Sequence, residues 1–151
     1  MITLRNLEEK DFNWFYKECE VFASYYSTKK SLLDEKEYVR QVLNNISQNH
    51  IFLFAEDSKL GLLGCMAAIL TPHLFNPEII TMTIIYWWVA EKNRNSRAAY
   101  MLLKEFIRLG KQKADWIIFG INISSPIKDS TIRKLGFIPH EKSYLIETGG
   151  A

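Results

Sequence analysis

Several classes of protein are excluded by what this sequence has little of. Its 151 residues contain only two cysteines, Cys19 and Cys65, with no CxxC pair and no histidine spacing around them. Buried free thiols are expected rather than a disulfide framework. The three histidines, His50, His73 and His140, are dispersed, so no local zinc motif exists and no metal is expected. No apolar run approaches the length needed to span a bilayer, and Met1 leads directly into a strand-like segment rather than a charged leader. A reducing cytoplasm is the expected setting. The formal net charge is only +2, with lysines and arginines scattered rather than blocked. Nothing in that distribution calls for nucleic acid, although a mild positive excess suits an anionic ligand.

What is present is an ordinary globular composition, 48% hydrophobic and 24% charged, with a rich 13% of aromatics. That length and composition predict one domain with a real core, over residues 1–147, followed by a short tail at 148–151. In chain order, Ile2 to Arg5 reads as a strand. Asp11 is placed to cap a helix with apolar positions Phe12, Phe15, Tyr16, Cys19, Phe22, Ala23 and Tyr26. Asp34-x-x-Glu37 then offers a capping box before a second amphipathic helix through Tyr38, Val42 and Ile46. The runs Ile51–Glu56 and Leu60–Leu70 flank Asp57-Ser58-Lys59 and predict an antiparallel hairpin, with Gly61 and Gly64 marking a bulge or a close backbone approach. Thr71 to Pro77 reads as a loop.

The stretch from Ile84 to Leu103, IIYWWVAEKNRNSRAAYMLL, carries the strongest signal. A bulky apolar strand ends at Val89, a polar turn with Arg94 and Arg97 follows, and helical spacing begins near Ala98. Free N–H groups and partial positive charge at such a helix start suit a phosphate. Arg94 and Arg97 are spaced to share one pyrophosphate while Ser96 caps the helix. The plainer reading of the same spacing is a capped surface helix with two solvated arginines. Beyond it, Trp116 to Phe119 is fit for a central strand, parallel to the strand ending at Val89 because a helix joins them. If that parallel pair diverges, it leaves backbone groups open in a notch. Pro126 marks a break, Ile127 to Leu135 a short helix with Gly136 just past its end, and residues 137–140 and 143–146 a closing strand pair.

Val89 followed five positions later by Arg94-Asn95-Ser96-Arg97-Ala98-Ala99 resembles the pyrophosphate loop of the GNAT superfamily of acyl-CoA-dependent acyltransferases, Arg/Gln-x-x-Gly-x-Gly/Ala, and Leu135-Gly136-Phe137 resembles its later triplet. Arg97 departs from the family, standing where glycine is usual. The form after Trp87-Trp88-Val89 is also similar to a branch common in bacteriophages. The resemblance implies a single-domain α/β (α+β) fold, a mixed and mostly antiparallel twisted sheet with one parallel pair, flanked by helices. It implies acetyl-CoA as co-substrate and a primary amine as acceptor, with a homodimer compatible. Backbone near Trp88 and Val89 would hold pantetheine, and Arg94, Asn95, Ser96, Arg97, Ala98 and Ala99 the pyrophosphate. Tyr25, Tyr26, Lys29 and His73 become acceptor contacts, though spacing alone makes them packing aromatics and solvated side chains.

Acyl transfer to an amine needs a deprotonated amine, a stabilised oxyanion and a proton for the departing thiolate. The family's usual tyrosine for that last task falls at Ile132, and its usual asparagine at Ser125. Tyr144 and Tyr86 are the remaining acid candidates, and Glu91 and Glu141 the bases. Against the enzyme stands a non-catalytic protein on the same fold, such as a phage virion component.

Overall fold

The computed structural model describes residues 1–26, 32–33 and 35–148. One sheet organises the chain, with strands in the order β1 (Ile2–Asn6), β2 (Ile51–Asp57), β3 (Gly61–His73), β4 (Asn76–Val89) and β5 (Trp116–Phe119). The first four pair antiparallel in sequence, while β4 and β5 are parallel, as the crossover requires. This is the α/β architecture expected, a mixed sheet with one parallel pair and helices on both faces.

Alternation along β3 explains why both faces are covered. Cys65 and Ala67 face a cluster with Phe12, Phe15 and Cys19 of α1 (Phe12–Ala23), Leu43 and Ile46 of α2 (Lys36–Asn49), and Phe52 and Phe54. Met66 and Ala68 face the opposite cluster, with Met82, Leu102 and Phe106. The last two belong to α3 (Ala98–Lys113), the crossover helix. A period of two along the strands thus feeds two separate cores.

Several local expectations need correction. Asp11 precedes α1 but does not cap it with its side chain; fully buried, it takes two hydrogen bonds from the Arg5 guanidinium at 2.7 and 2.8 Å and one from the Glu8 N–H at 2.8 Å. Beside Asp11, and further supported by Glu56, Arg5 is held above the ordinary guanidinium range. The first helix ends at Ala23, leaving Tyr25 and Tyr26 in a turn. Asp34 and Lys29 lie outside the described residues. Thr71 to Pro77 is not an open loop: β3 continues to His73 and β4 resumes at Asn76. The hairpin tolerates its prolines because its register slips between Pro72 and His73, which relieves the ladder where Pro72 and Pro77 stand. Around the expected glycines, Ala55 pairs Gly64 while Glu56 pairs Leu62, so Leu63 is bulged.

At the C-terminal end, the short helix is α4 (Asp129–Lys134), narrower than 127–135. Gly136 stops it with φ +99°, its N–H donating to the Arg133 carbonyl at 3.0 Å. The expected closing strand pair is absent: residues 137–148 carry no strand and make no backbone hydrogen bond to the sheet among the described residues. A strand needs a partner edge, and this segment does not lie along one. Among the described residues no helix is long and apolar enough to cross a membrane.

Candidate active site

β4 outlasts its parallel neighbour. Ile84 pairs with Phe119, the last residue of β5, and from Ile85 to Val89 the strand keeps β3 on one side but meets no strand on the other among the described residues. The divergence has a local cause. Ala67 pairs with Tyr86 and Ala68 with Ile84, so Ile85 is an extra residue bulged out of β4 where β5 stops. A bulge bends its strand and increases the twist. It also reverses the faces. Before it, Met82 and Ile84 point toward α3; after it, Trp87 and Val89 do so, while Tyr86 and Trp88 turn to the side of α1.

The gap opens into a cleft of about 280 Å³. Tyr86, Trp88 and Val89 form one wall, and Phe22, Tyr25 and Tyr26 from the end of α1 form another. Asn122, Ser125 and Ile127 lie among the lining residues that follow β5. The aromatic wall is interlocked: ring centres of Phe22 lie 4.9 Å from Tyr86 and 5.7 Å from Trp88, and Tyr25 lies 5.6 Å from Trp88. The Trp88 indole N–H donates to Glu18 at 2.7 Å, and the Tyr86 hydroxyl lies 3.7 Å from the Cys19 sulfur. Burial pushes the Tyr86 phenol far above its ordinary value and Cys19 up to about 11. Both therefore stay protonated at neutral pH.

At the mouth, Arg94 turns back onto the strand end. Its Nε donates to the Val89 carbonyl at 3.4 Å, its guanidinium carbon sits 4.9 Å from the Trp88 ring, and it approaches the Tyr25 oxygen at 3.4 Å. The Tyr25 hydroxyl donates in turn to Glu91 at 2.6 Å. Arg97 makes none of these contacts: like Arg94 it is exposed, and its side chain has no hydrogen-bond or ion-pair partner among the described residues. With φ −81° it occupies ordinary backbone space, so no positive φ demands the glycine usual in the resembled loop. The Ser96 hydroxyl accepts the Ala98 N–H at 3.3 Å, one position ahead of the cap. Asn95, Arg97, Ala99 and Tyr100 donate no backbone hydrogen bond among the described residues. Four open N–H groups around a helix start make a seat for an anion.

The structure thus gathers Tyr25, Tyr26, Tyr86, Trp88, Val89, Arg94 and Ala99 at one cleft; Asn95, Ser96, Arg97 and Ala98 connect Arg94 to Ala99 but are not among its lining residues, and Ala98 is buried in the core. It does not bring in Tyr144, which is 90% exposed on the C-terminal segment, nor Glu141 beside it. His73, the last residue of β3, sits beside the far end of β4, its ring 5.1 Å from Trp116 and its Nδ1 accepting the Phe75 N–H; measured along β3 from Gly64, the partner of Val89, at about 3.3 Å per residue it is roughly 30 Å from that strand end. Ile132 is half-buried on α4 and does not line the cleft. Sequence reasoning missed Phe22, Glu18 and the Asn122–Ile127 wall. Phe22 carried a signal as one of the apolar positions of the first helix, and Ser125 as the position of the resembled family's asparagine; the others carried none.

No protein-family model matches the chain, and no curated protein matches it by sequence. Solved structures do match. A transcriptional regulator from Bacillus halodurans C-125 superposes with a TM-score of 0.77 at 18% identity, covering 97% of this chain and 99% of that one. The Trypanosoma brucei acetyltransferase gives 0.73 at 15% identity, covering 97% and 99%. A predicted acetyltransferase with acetyl-CoA from Clostridium acetobutylicum gives 0.70 at 14% identity, covering 97% and 96%. At such identities the likeness speaks for a shared fold.

Proposed function

We propose that this chain, which has the fold of the GNAT acetyltransferases, moves an acetyl group from acetyl-CoA to a primary amine. One observation carries the reading: the unpaired stretch of β4 from Ile85 to Val89 runs into a helix start whose N–H groups at Asn95, Arg97, Ala99 and Tyr100 are open. The amides of pantetheine suit the first and a pyrophosphate the second. Arg97 would add charge to the phosphate seat. Arg94 would have to keep or exchange its contact with the Val89 carbonyl as pantetheine enters.

The amine would approach from the side of Phe22, Tyr25 and Tyr26. Attack of its lone pair on the acetyl carbonyl forms the C–N bond, and collapse breaks the C–S bond, with the amine losing a proton and the thiolate gaining one. A free β4 N–H beyond the bulge is the available oxyanion donor. Tyr86, held far above its ordinary pKa, suits a hydrogen bond to developing charge rather than delivery of its proton. Proximity then carries much of the rate, and turnover is slow.

A second reading, a non-catalytic binding or virion component, is favoured by Ile132 and by the distance of Tyr144 from the cleft. Calorimetry and an amine acetylation assay separate the two. CoA is expected to bind the parent, and Arg97→Ala to weaken it about tenfold or more, the worth of a charge-assisted hydrogen bond. Slow transfer to an amine is expected of the parent. Binding without transfer selects the second reading, and absence of CoA binding removes the first.

A further inference from the structure

The cleft is lopsided in charge. Among the described residues that line it there is no carboxylate, and the one charged side chain is the Arg94 guanidinium. The two carboxylates hydrogen-bonded to its aromatic wall are already engaged: Glu18 accepts the Trp88 indole N–H at 2.7 Å and Glu91 the Tyr25 hydroxyl at 2.6 Å, and neither lines the cleft. Nor are the ring faces open to a cation. Arg94 holds the positions over Trp88 and Tyr25, its guanidinium carbon 4.9 and 5.9 Å from the ring centres. A ligand with several positive charges would set each extra ammonium in an apolar wall beside a like charge, where burial is costly.

The wall suits a ring instead. Phe22 meets Trp88 at 85° and Tyr86 at 62°, and Tyr25 meets Trp88 at 66°. Such edge-to-face packing presents both faces and edges, so a further aromatic ring finds a complementary partner in either orientation. Tyr26, 37% exposed in the turn after α1 and with its ring 5.2 Å from Phe22, extends the wall toward solvent.

On the premise of acetyl transfer, on which this inference rests, we infer that the acceptor is a monoamine carried on an aromatic ring. The ring lies among Phe22, Tyr25, Tyr26 and Trp88, with the amine toward the unpaired end of β4. An arriving ammonium sheds one proton to solvent before its lone pair attacks the acetyl carbonyl; as the C–N bond forms and the C–S bond breaks, a second proton passes to the thiolate. A wall without carboxylates favours the neutral amine that this step needs. Polyamines and lysine-rich chains are disfavoured by the same lining.

The test compares amines within one preparation, so that the folded fraction cancels. With acetyl-CoA, kcat/KM for 2-phenylethylamine is expected to exceed that for butylamine about tenfold or more, through ring contacts that butylamine lacks. 1,4-Diaminobutane, with the same carbon chain, should fall below butylamine by about tenfold because its second ammonium meets no carboxylate. Tyr26→Glu supplies one and should raise the diaminobutane-to-butylamine ratio about tenfold while lowering the preference for 2-phenylethylamine. Saturation-transfer NMR, with and without coenzyme A, is expected to show the ring protons of 2-phenylethylamine saturated by the parent and less so by Tyr26→Glu. Ring binding without transfer to any amine removes acetyl transfer and keeps the aromatic amine as the ligand of the cleft. A parent that prefers diaminobutane to butylamine, one that takes 2-phenylethylamine no better than butylamine, or absence of ring saturation overturns the inference.

Discussion

Asp57 shows how much one side chain organises at the turn between β2 and β3. Its carboxylate accepts the Lys59 N–H at 2.9 Å, the N-terminal ammonium of Met1 at 2.9 Å and the Leu60 N–H at 3.1 Å. Those donors, the Lys59 amide foremost, hold its pKa down at about 2. A carboxyl depressed on folding contributes stability that is complete above its unfolded value, about 4, and is lost as pH falls toward the folded one. The Asp57 carboxyl should therefore titrate near 2 by NMR, and the stability of the parent should fall between pH 4 and pH 2 more steeply than that of Asp57→Asn. Equal slopes would show that the turn donors do not discriminate the charged form. Residue-level reading had limits of another kind at Arg94 and Arg97. Their spacing was visible, but one folds back over Trp88 and the other faces solvent because the first lies before the cap and the second on it.

Among the elements, β4 decides the site, and Gly64 decides how closely β3 can follow it. A Cβ at that position would lie 2.6 Å from the Trp88 carbonyl oxygen and 2.8 Å from Val89 Cγ2, so backbone would have to move. Gly64→Ala should cost about 1–3 kcal/mol by thermal or urea unfolding and displace the strand end that lines the cleft. If the variant melts with the parent, the close approach is not a constraint. The strand, the helix and their junction were legible because each has a period or a punctuating residue: Trp116 to Phe119, the apolar stripe of α3, Gly136. Other features had no such mark. The bulge at Ile85 shifts Tyr86 and Trp88 to the opposite face, and Ile84-Ile85-Tyr86-Trp87-Trp88 is bulky throughout, so no polar residue betrays the change of phase. Tyr144 and His73 lie away from the cleft for a different reason. Their chemistry suited the reaction that the resemblance implied, but the direction of a terminal segment and the length of a hairpin are set by tertiary pairing.

In the molecule as a whole, β3 and β4 supply side chains to both cores, so the two faces should not melt separately. Phe52→Ala on one face and Phe106→Ala on the other are each expected to cost about 3–5 kcal/mol. In both variants, loss of far-UV circular dichroism and of tryptophan fluorescence should coincide in urea; two resolved transitions would show that the sheet does not couple its faces. The strand order has a further consequence, in time. β2, β3 and β4 are joined by short turns and meet their partners early, whereas β1 must wait for a partner that lies beyond both α1 and α2 in the chain. The strand that comes first in the sheet's chain order is thus among the last to dock. Leu4→Ala should accelerate unfolding with little change in the folding rate, and Met66→Ala, in the central hairpins, should slow folding itself. The opposite assignment in stopped-flow measurements would place β1 in the nucleus.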